Sequence, residues 1–304
     1  MSLFYTPASF ILIILLGFIL KSTRWLGKDD ALILTKILLN VTLPATIIIA
    51  FSKLSYSSEF FLIVLVGLTA SCAPLLLWFC LSVKSDSESR LFSMINVSGF
   101  NIGCFALPFI NSLIGDQAGA YAALFDTGNA LMMTGGAFAI ATSLLRINGN
   151  ETGIIKSIAK QLAKSHLFIL YILLTIFVAL DITLPEPLLK LIEPIAQANA
   201  FVAMLIIGLM FTPQVGKKKL TLSLKIIFFR LINSAIFSIL IYNYLPVSEA
   251  ARQVLAIIVF SPISALAPLF TLKSKGDVEL SSFTNNLSIL VGLISMSVVS
   301  MIVL

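Results

Sequence analysis

Stretches of eighteen or more mostly apolar residues recur along the whole of this 304-residue chain. Each is long enough to cross the hydrocarbon core of a bilayer as a helix. Hydrophobic residues make up 59% of the chain and charged residues 11%, against about 25% charged in soluble domains. Because lipid offers no partner to free backbone groups, such a chain folds into helices that satisfy their own hydrogen bonds. The sequence therefore predicts an all-α integral membrane protein.

The apolar stretches predict ten membrane-spanning helices. Fourteen Lys and Arg residues fall in the loops assigned to the cytoplasm and three in the outer loops, and such an excess marks the cytoplasmic side. We therefore expect a multi-pass protein of the cytoplasmic membrane, the cell membrane, with both termini outside. The net charge of +6 reflects this orientation and predicts no nucleic-acid partner. The predicted spans are 8–24, 31–52, 58–82, 90–114, 117–146, 166–182, 188–214, 219–245, 249–272 and 279–303.

Two segments 160 residues apart, Asn101–Pro108 and Ser261–Pro268, share a helix-breaking pattern. Each has a small polar residue seven positions before a proline, and proline removes a backbone N–H and clashes with the preceding turn. Interrupted spans at matching positions of two halves indicate a transporter binding site. Because each half has five spans, the second half must be inverted. The chain is thus predicted to form two inverted five-helix repeats whose broken helices 4 and 9 cross at the substrate site.

Half-helices that begin at these breaks would point backbone N–H groups and positive dipole ends at the protein centre, where an anion can bind. The Asn and Ser residues there either contact the substrate or only cap the half-helices. With no Lys or Arg expected near the centre, the site would hold a carboxylate through amides and dipoles. Asn40, at the Asn40–Pro44 kink of span 2, is either a ligand or a packing residue. The substrate-binding candidates are Asn101, Gly103, Cys104, Pro108, Ser261, Pro262, Ser264, Pro268 and Asn40.

Asp126 lies ten residues past Asp116, so about 15 Å along a helix and near the bilayer centre. A carboxylate there costs about 2.5–3.5 kcal/mol on insertion scales and usually faces a cavity or a partner. It is either a coupling site for a proton or another cation, or a structural carboxylate that bonds freed backbone groups. The coupling-ion candidates are Asp126, Thr127, Asn129, Asn285 and Ser288.

The sequence predicts neither an enzyme nor a cofactor. Cys72, Cys80 and Cys104 lie within apolar segments, and an odd, buried set argues against a disulfide framework. There is no His or carboxylate cluster of the kind that a metal site requires. Nucleotide-binding loops and HExxH sequences are also absent from the chain.

The motifs resemble those of the auxin efflux carrier family along the whole chain. The resemblance rests on Lys36–Pro44 in span 2, Asn101-x-Gly103 with Pro108, Ser261–Ala265, and Asn286-Leu-Ser288. It implies a homodimeric ten-span carrier that moves a small organic anion by alternating access. It also implies scaffold helices in 1–57 and 148–215 and a mobile transport bundle in 58–147 and 216–304. Phe100, between Gly99 and Asn101, and Ala106, at a usual glycine position, depart from the family pattern, so the substrate cannot be inferred.

Other functions remain open from the sequence. A sodium-coupled symporter resembling the bile-acid family shares the crossed-helix architecture, and sodium dependence of uptake would distinguish it. A passive anion channel or uniporter would show conductance without saturation. A membrane sensor would need a partner or a cytoplasmic domain to transmit its signal.

Overall fold

The computed structural model describes residues 2–54, 57–147, 159, 162–163, 165–211 and 217–304. These residues form helices and turns, without a β-strand in the described ranges. Most of the predicted cytoplasmic loop after residue 147 lies outside them. The α-helices are α1 (Ser2–Ser22), α2 (Lys28–Ile37), α3 (Leu43–Ser52), α4 (Phe60–Leu81), α5 (Ser87–Val97), α6 (Leu107–Leu113), α7 (Asp116–Leu131), α8 (Ala137–Leu144), α9 (His166–Ala179), α10 (Glu186–Met210), α11 (Lys217–Tyr244), α12 (Glu249–Ile258), α13 (Ala267–Lys273) and α14 (Val278–Val303).

Within the described residues, six helical stretches are long and apolar enough to cross a membrane. The other predicted spans fall on helices that are shorter or interrupted, namely α5 with α6, α7 with α8, α9, and α12 with α13. Helix α11 exposes a row of large apolar side chains, as expected for a surface in contact with lipid; they are Leu224, Phe228, Ile232, Ile236 and Leu240. The six stretches are Tyr5–Ser22, Asp29–Ser52, Phe60–Leu81, Glu186–Met210, Lys219–Tyr244 and Val278–Val303. The chain is an all-helical, multi-pass membrane protein.

The kink expected in span 2 is a π-type turn, Leu38–Thr42, that joins α2 to α3 without ending the helix. Such a turn accommodates an extra residue within a helix. Pro44 lies in the first turn of α3, and because proline has no N–H it leaves a carbonyl of the preceding turn without its helical partner. A second turn of this type, Met132–Gly136, joins α7 to α8.

Helical structure is also interrupted within predicted spans 4 and 9. Helix α5 ends at Val97, and helical structure resumes as a π-type turn, Ile102–Ala106, that leads into α6. Helix α12 ends at Ile258, and α13 begins at Ala267. Pro108 and Pro268 lie in the first turns of α6 and α13. The backbone groups left free between these helices need partners from elsewhere in the protein.

Helices α4 and α7 touch through glycine. A β-carbon on Gly67 would lie 2.0 Å from the carbonyl oxygen of Phe125, and one on Gly128 would lie 2.0 Å from that of Val64. Small residues allow backbones to approach this closely in membrane proteins. The contact places α7, which carries Asp126, directly beside α4.

Candidate functional site

The two non-helical segments meet inside the protein. Phe100 and Ile263 form an antiparallel backbone bridge, and the Asn101 N–H donates to the Pro262 carbonyl at 3.0 Å. We call these four residues the junction. The prediction that the two segments approach each other is confirmed. Their contact satisfies part of the backbone that the interrupted helices leave free.

The guanidinium of Arg230, midway along α11, links both segments at the junction. Its Nη1 donates to the carbonyls of Val97 at 2.6 Å and Gly99 at 2.9 Å. Its Nη2 donates to those of Ser261 at 3.2 Å and Pro262 at 3.3 Å. The planar fork of a guanidinium suits this arrangement, because it directs several N–H groups at once. One side chain thus supplies hydrogen bonds to four carbonyls from two distant parts of the sequence.

The expectation that no Lys or Arg lies near the centre was wrong. Arg230 is 7% exposed, and its guanidinium carbon lies 4.9 Å from the centre of the Phe100 ring. An Arg within an apolar helix is itself a functional signal. No carboxylate of the described ranges forms an ion pair with it. The junction therefore carries a positive charge without an acidic partner.

Asn129 on α7 binds the backbone of Phe100. Its Nδ2 donates to the Phe100 carbonyl and its Oδ1 accepts from the Phe100 N–H, both at 2.9 Å. Its Oδ1 also accepts from the Ser71 hydroxyl at 2.8 Å, and its Nδ2 also donates to Asp126 Oδ1 at 2.7 Å. The amide is occupied by the protein itself, as is Thr127, whose hydroxyl donates to the Ala123 carbonyl. Both of these coupling candidates make structural contacts.

Asp126 is 1% exposed and accepts hydrogen bonds at both oxygens. Oδ1 accepts from Asn129, and Oδ2 accepts from the hydroxyl of Tyr171 on α9. The Gly103 backbone also faces the carboxylate, and a β-carbon there would lie 3.4 Å from Oδ2. Asp126 and Arg230 are the charged side chains among the buried residues of the described chain. Sequence reasoning missed Tyr171, because a tyrosine in an apolar span has no distinguishing neighbours.

Asn285 and Ser288 on α14 contact the second segment. The Ser288 hydroxyl accepts from the Ile263 N–H at 3.0 Å, and Asn285 Nδ2 donates to the Ser264 carbonyl at 3.2 Å. Asn285 Oδ1 is buried and has no partner among the described residues. Buried acceptors of this kind are commonly paired with an ordered water, an ion or a ligand.

The Asn and Ser candidates differ in what their side chains do. Asn101 is buried but does not cap the helix that follows it, contrary to the capping interpretation. The Ser264 hydroxyl accepts from the Leu266 N–H at 3.2 Å, and the Ser261 hydroxyl donates to the Ile258 carbonyl. The two serines are thus engaged locally, whereas the Asn101 amide makes no capping bond.

Asn40 is not brought to the junction, since it is exposed and donates to the Lys36 carbonyl of its own helix at 2.8 Å. Cys104 is buried in the turn after Asn101. Pro268 lies in the first turn of α13. Substrate contact remains a prediction for Cys104 and Pro268, whereas for the exposed Asn40, which bonds within its own helix, we expect no substrate contact.

A cavity of about 230 Å³ lies between α3, α6 and α10. Asn199 belongs to its lining, and its Nδ2 donates to the Gly103 carbonyl at 3.2 Å, while its Oδ1 accepts from the Thr42 hydroxyl at 3.0 Å. The cavity therefore reaches the first segment through Asn199. Its lining also includes Thr46, Ile49, Pro108, Asn111, Glu193 and Gln197.

A family model described as membrane transport protein matches residues 4–300. An uncharacterized transporter of Methanothermobacter thermautotrophicus is 26% identical over 150 residues, which cover 48% of this chain and 48% of that protein. The chain thus aligns with about half the length of this curated relative. The family match covers nearly the whole chain, as the sequence motifs predicted. The chain belongs to the membrane transport protein family, that of the auxin efflux carriers.

Proposed function

We propose that this transporter is a secondary carrier that moves a small organic anion, bearing a carboxylate, across the cytoplasmic membrane by alternating access. The observation that carries the proposal is the charge of Arg230 at the junction, which lacks an acidic partner in the described chain. Carbonyl dipoles stabilise this cation only in part, and a buried charge is best balanced by an opposite one. A substrate carboxylate at the junction would provide it.

Groups near the junction can orient such a substrate. The Asn101 amide, which makes no capping bond, can donate to a carboxylate oxygen. Asn285 Oδ1 lacks a donor and can accept from a substrate hydroxyl. The cavity of about 230 Å³ has room for a small metabolite and is below the size of typical drug-binding pockets, about 300–1,000 Å³. We therefore place the substrate between the inner end of this cavity and the junction.

The proposal includes the ten-span inverted repeat. Asp126 and Asn129 on α7 stand three residues apart, as do Asn285 and Ser288 on α14. Asn129 binds the backbone of Phe100, and Ser288 binds that of Ile263, so corresponding residues serve the two sides of the junction. This correspondence supports duplication, and the excess of Lys and Arg in the loops assigned to the cytoplasm supports both termini outside.

In this arrangement, 1–57 and 148–215 form the scaffold, and 58–147 and 216–304 form the transport bundle of each subunit in a homodimer. The cavity has scaffold residues of α3 and α10 on one side and bundle residues of α6 on the other. Alternating access requires a cavity at such a boundary, because relative motion of the two groups can then close it.

Asp126 is the proposed coupling site, and a proton suits it better than sodium. Its two oxygens face donors, the Asn129 amide and the Tyr171 hydroxyl. A sodium ion would require these donors to be replaced by oxygen lone pairs, whereas a proton only needs to neutralise the carboxylate. Protonation would also leave Arg230 as the buried charge near the junction, which favours an entering anion.

The test uses purified protein in proteoliposomes with a panel of small carboxylates. Accumulation should follow an imposed proton gradient and not a sodium gradient. Asn101→Ala should weaken substrate binding about tenfold, the loss expected for about one hydrogen bond to a charged group. Asn40→Ala is the matched control and should bind normally. An unchanged dissociation constant for Asn101→Ala would move the substrate elsewhere, and conductance without saturation would favour a channel.

Asp126→Asn separates coupling from structure. If Asp126 couples a proton, this variant should lose gradient-driven accumulation and keep substrate exchange. A variant that folds and still accumulates substrate would remove Asp126 from coupling. Dependence on sodium in the parent protein would instead support the symporter of the bile-acid type.

A further inference from the structure

Tyr171 joins the two groups of helices that the proposed function separates. Its side chain is 1% exposed, and its ring packs against that of Phe51 on α3, with centroids 6.1 Å apart. Both residues belong to the proposed scaffold. The hydroxyl reaches across to Asp126 on α7, which belongs to the proposed bundle. The ring thus rests on a scaffold residue, and its hydroxyl reaches the bundle.

Other side-chain hydrogen bonds between the two groups end on backbone carbonyls. Thr6 donates to the Ser112 carbonyl at 3.3 Å, and Asn199 donates to the Gly103 carbonyl at 3.2 Å. Asn286 Nδ2 donates to the Met210 carbonyl at 3.2 Å. A carbonyl keeps the same charge at every pH. The bond from Tyr171, in contrast, ends on a carboxylate and therefore responds to protonation of its acceptor.

We propose that Tyr171 is a coupling residue whose bond to ionised Asp126 holds the bundle in the position that keeps the cavity between α3, α6 and α10 open. The inference rests on the alternating-access function proposed above. Hydrogen bonds to a carboxylate are shorter and stronger than bonds between neutral groups. When Asp126 takes up a proton, the bond loses this charge assistance and the bundle is released. Proton binding and bundle movement are linked through one hydroxyl.

The surroundings of Asp126 leave this bond without a competing cation. Tyr171 from α9 and Cys104 from the turn after Asn101 are the titratable groups that face the carboxylate. Asn129 from α7 is neutral, and no cation within the described ranges forms an ion pair with Asp126. Protonation of Asp126 therefore leaves the Tyr171 hydroxyl with a weaker acceptor, and no neighbouring anion replaces the carboxylate.

The test measures how open the cavity is, without substrate. Gln197→Cys, in the cavity lining, is labelled with a maleimide in nanodiscs, where both faces of the membrane can be reached. Its labelling rate is divided by the labelling rate of Ser58→Cys, an exposed position before α4. This division removes the pH dependence that thiol ionisation gives to the maleimide reaction. The parent chain gives the background from its three native cysteines. We expect the normalised rate to fall about twofold or more between pH 8 and pH 5.5, as the population of the open form falls.

Tyr171→Phe keeps the ring and removes the hydroxyl. It should label slowly at both pH values, because the bond is absent throughout. Tyr121→Phe is the matched control, since Tyr121 is on α7 and its hydroxyl contacts Ser248 within the proposed bundle; it should behave as the parent. Equal labelling of the two variants at each pH would overturn the proposal, as would a parent rate independent of pH.

If Tyr171→Phe fails to fold, Asp126→Asn tests the proposed coupling role of Tyr171 instead. An asparagine cannot accept the charge-assisted bond, so this variant should match the parent at pH 5.5 and show no pH dependence. Fast labelling of Asp126→Asn at both pH values would contradict the coupling role of Tyr171. Since labelling requires no substrate, a failure of carboxylate transport would end the proposed function without changing this result.

Discussion

Asn129 holds Phe100 by both of its backbone groups, with its Nδ2 donating to the carbonyl and its Oδ1 accepting from the N–H, each at 2.9 Å. A neighbouring β-strand would offer the same pair of contacts. Because Phe100 also bridges to Ile263, its backbone is held between a side chain on α7 and the second non-helical segment. The first segment is thereby fixed to the helix that carries Asp126.

Replacing Asn129 with Asp should destabilise the protein. A carboxylate cannot donate to the Phe100 carbonyl and would repel Asp126, so we expect a loss of about 3 kcal/mol in the free energy of unfolding, the scale of leaving buried groups unsatisfied. Thermal unfolding in detergent measures the change. Asn233→Ala is the control, since Asn233 is buried but donates to its own helix at Phe229; its cost should stay below about 1 kcal/mol. Equal costs would contradict the special role of Asn129.

Arg230 should be needed for both folding and anion binding, and two substitutions separate these roles. Arg230→Lys keeps the charge but cannot reach four carbonyls with one planar fork, so it should unfold at a lower temperature and still bind a carboxylate. Arg230→Met removes the charge as well and should weaken binding about tenfold or more, the equivalent of about 1.4 kcal/mol. Thermal unfolding and the dissociation constant are measured on the same preparations.

Arg90→Gln supplies the comparison for Arg230. Arg90 also donates to a backbone carbonyl, that of Phe79 at 2.8 Å, and lies over the Phe79 ring, but it is away from the junction. This variant should bind the carboxylate as the parent does. If Arg230→Met binds equally well, the charge of Arg230 has no part in anion recognition.

Glu193 gives the cavity lining a negative charge, which opposes entry of an anion. Glu193→Gln should therefore lower the KM for the carboxylate about two- to threefold with little change in kcat, and the gain should shrink in high salt because exposed charges are screened. Glu186→Gln is the matched control, on the same helix but outside the cavity and paired with Lys190. A KM that rises in Glu193→Gln would indicate a cationic or zwitterionic substrate.

The position of the junction could be predicted because it depends on local chemistry. Asn101, Gly103 and Pro108 favour an interrupted helix wherever they stand together, and an apolar chain tolerates such an interruption only inside the protein. The second segment carries the same kind of signal at Ser261–Pro268. The repeated pattern of helix-breaking residues was therefore enough to predict that the two segments meet.

Arg230, Tyr171 and Asn199 were not identified as site residues from the sequence, although an Arg within an apolar span is a functional signal. Each lies far along the chain from the residue it contacts. Each also has an ordinary explanation: Arg230 as a marker of orientation, Tyr171 as an aromatic residue of an apolar span, and Asn199 as a contact between helices. The capping role expected for Asn101 failed for a related reason. The Asn101 side chain makes no bond to the turn that follows it, because whether a side chain reaches a free N–H depends on the folded backbone and not on the residue type alone.

The contact between α4 and α7 limits which helices can move relative to one another. Gly67 and Gly128 bring the two backbones together with no layer of side chains between them, so neither helix can slide without lifting off its neighbour. A helix can shift past its neighbour through small rotamer changes only where side chains separate the two backbones. Side chains of α3 and α10 face those of α6 in this way across the cavity. We therefore expect α4 and α7 to move together as one rigid pair, and any displacement of helices to occur at the cavity.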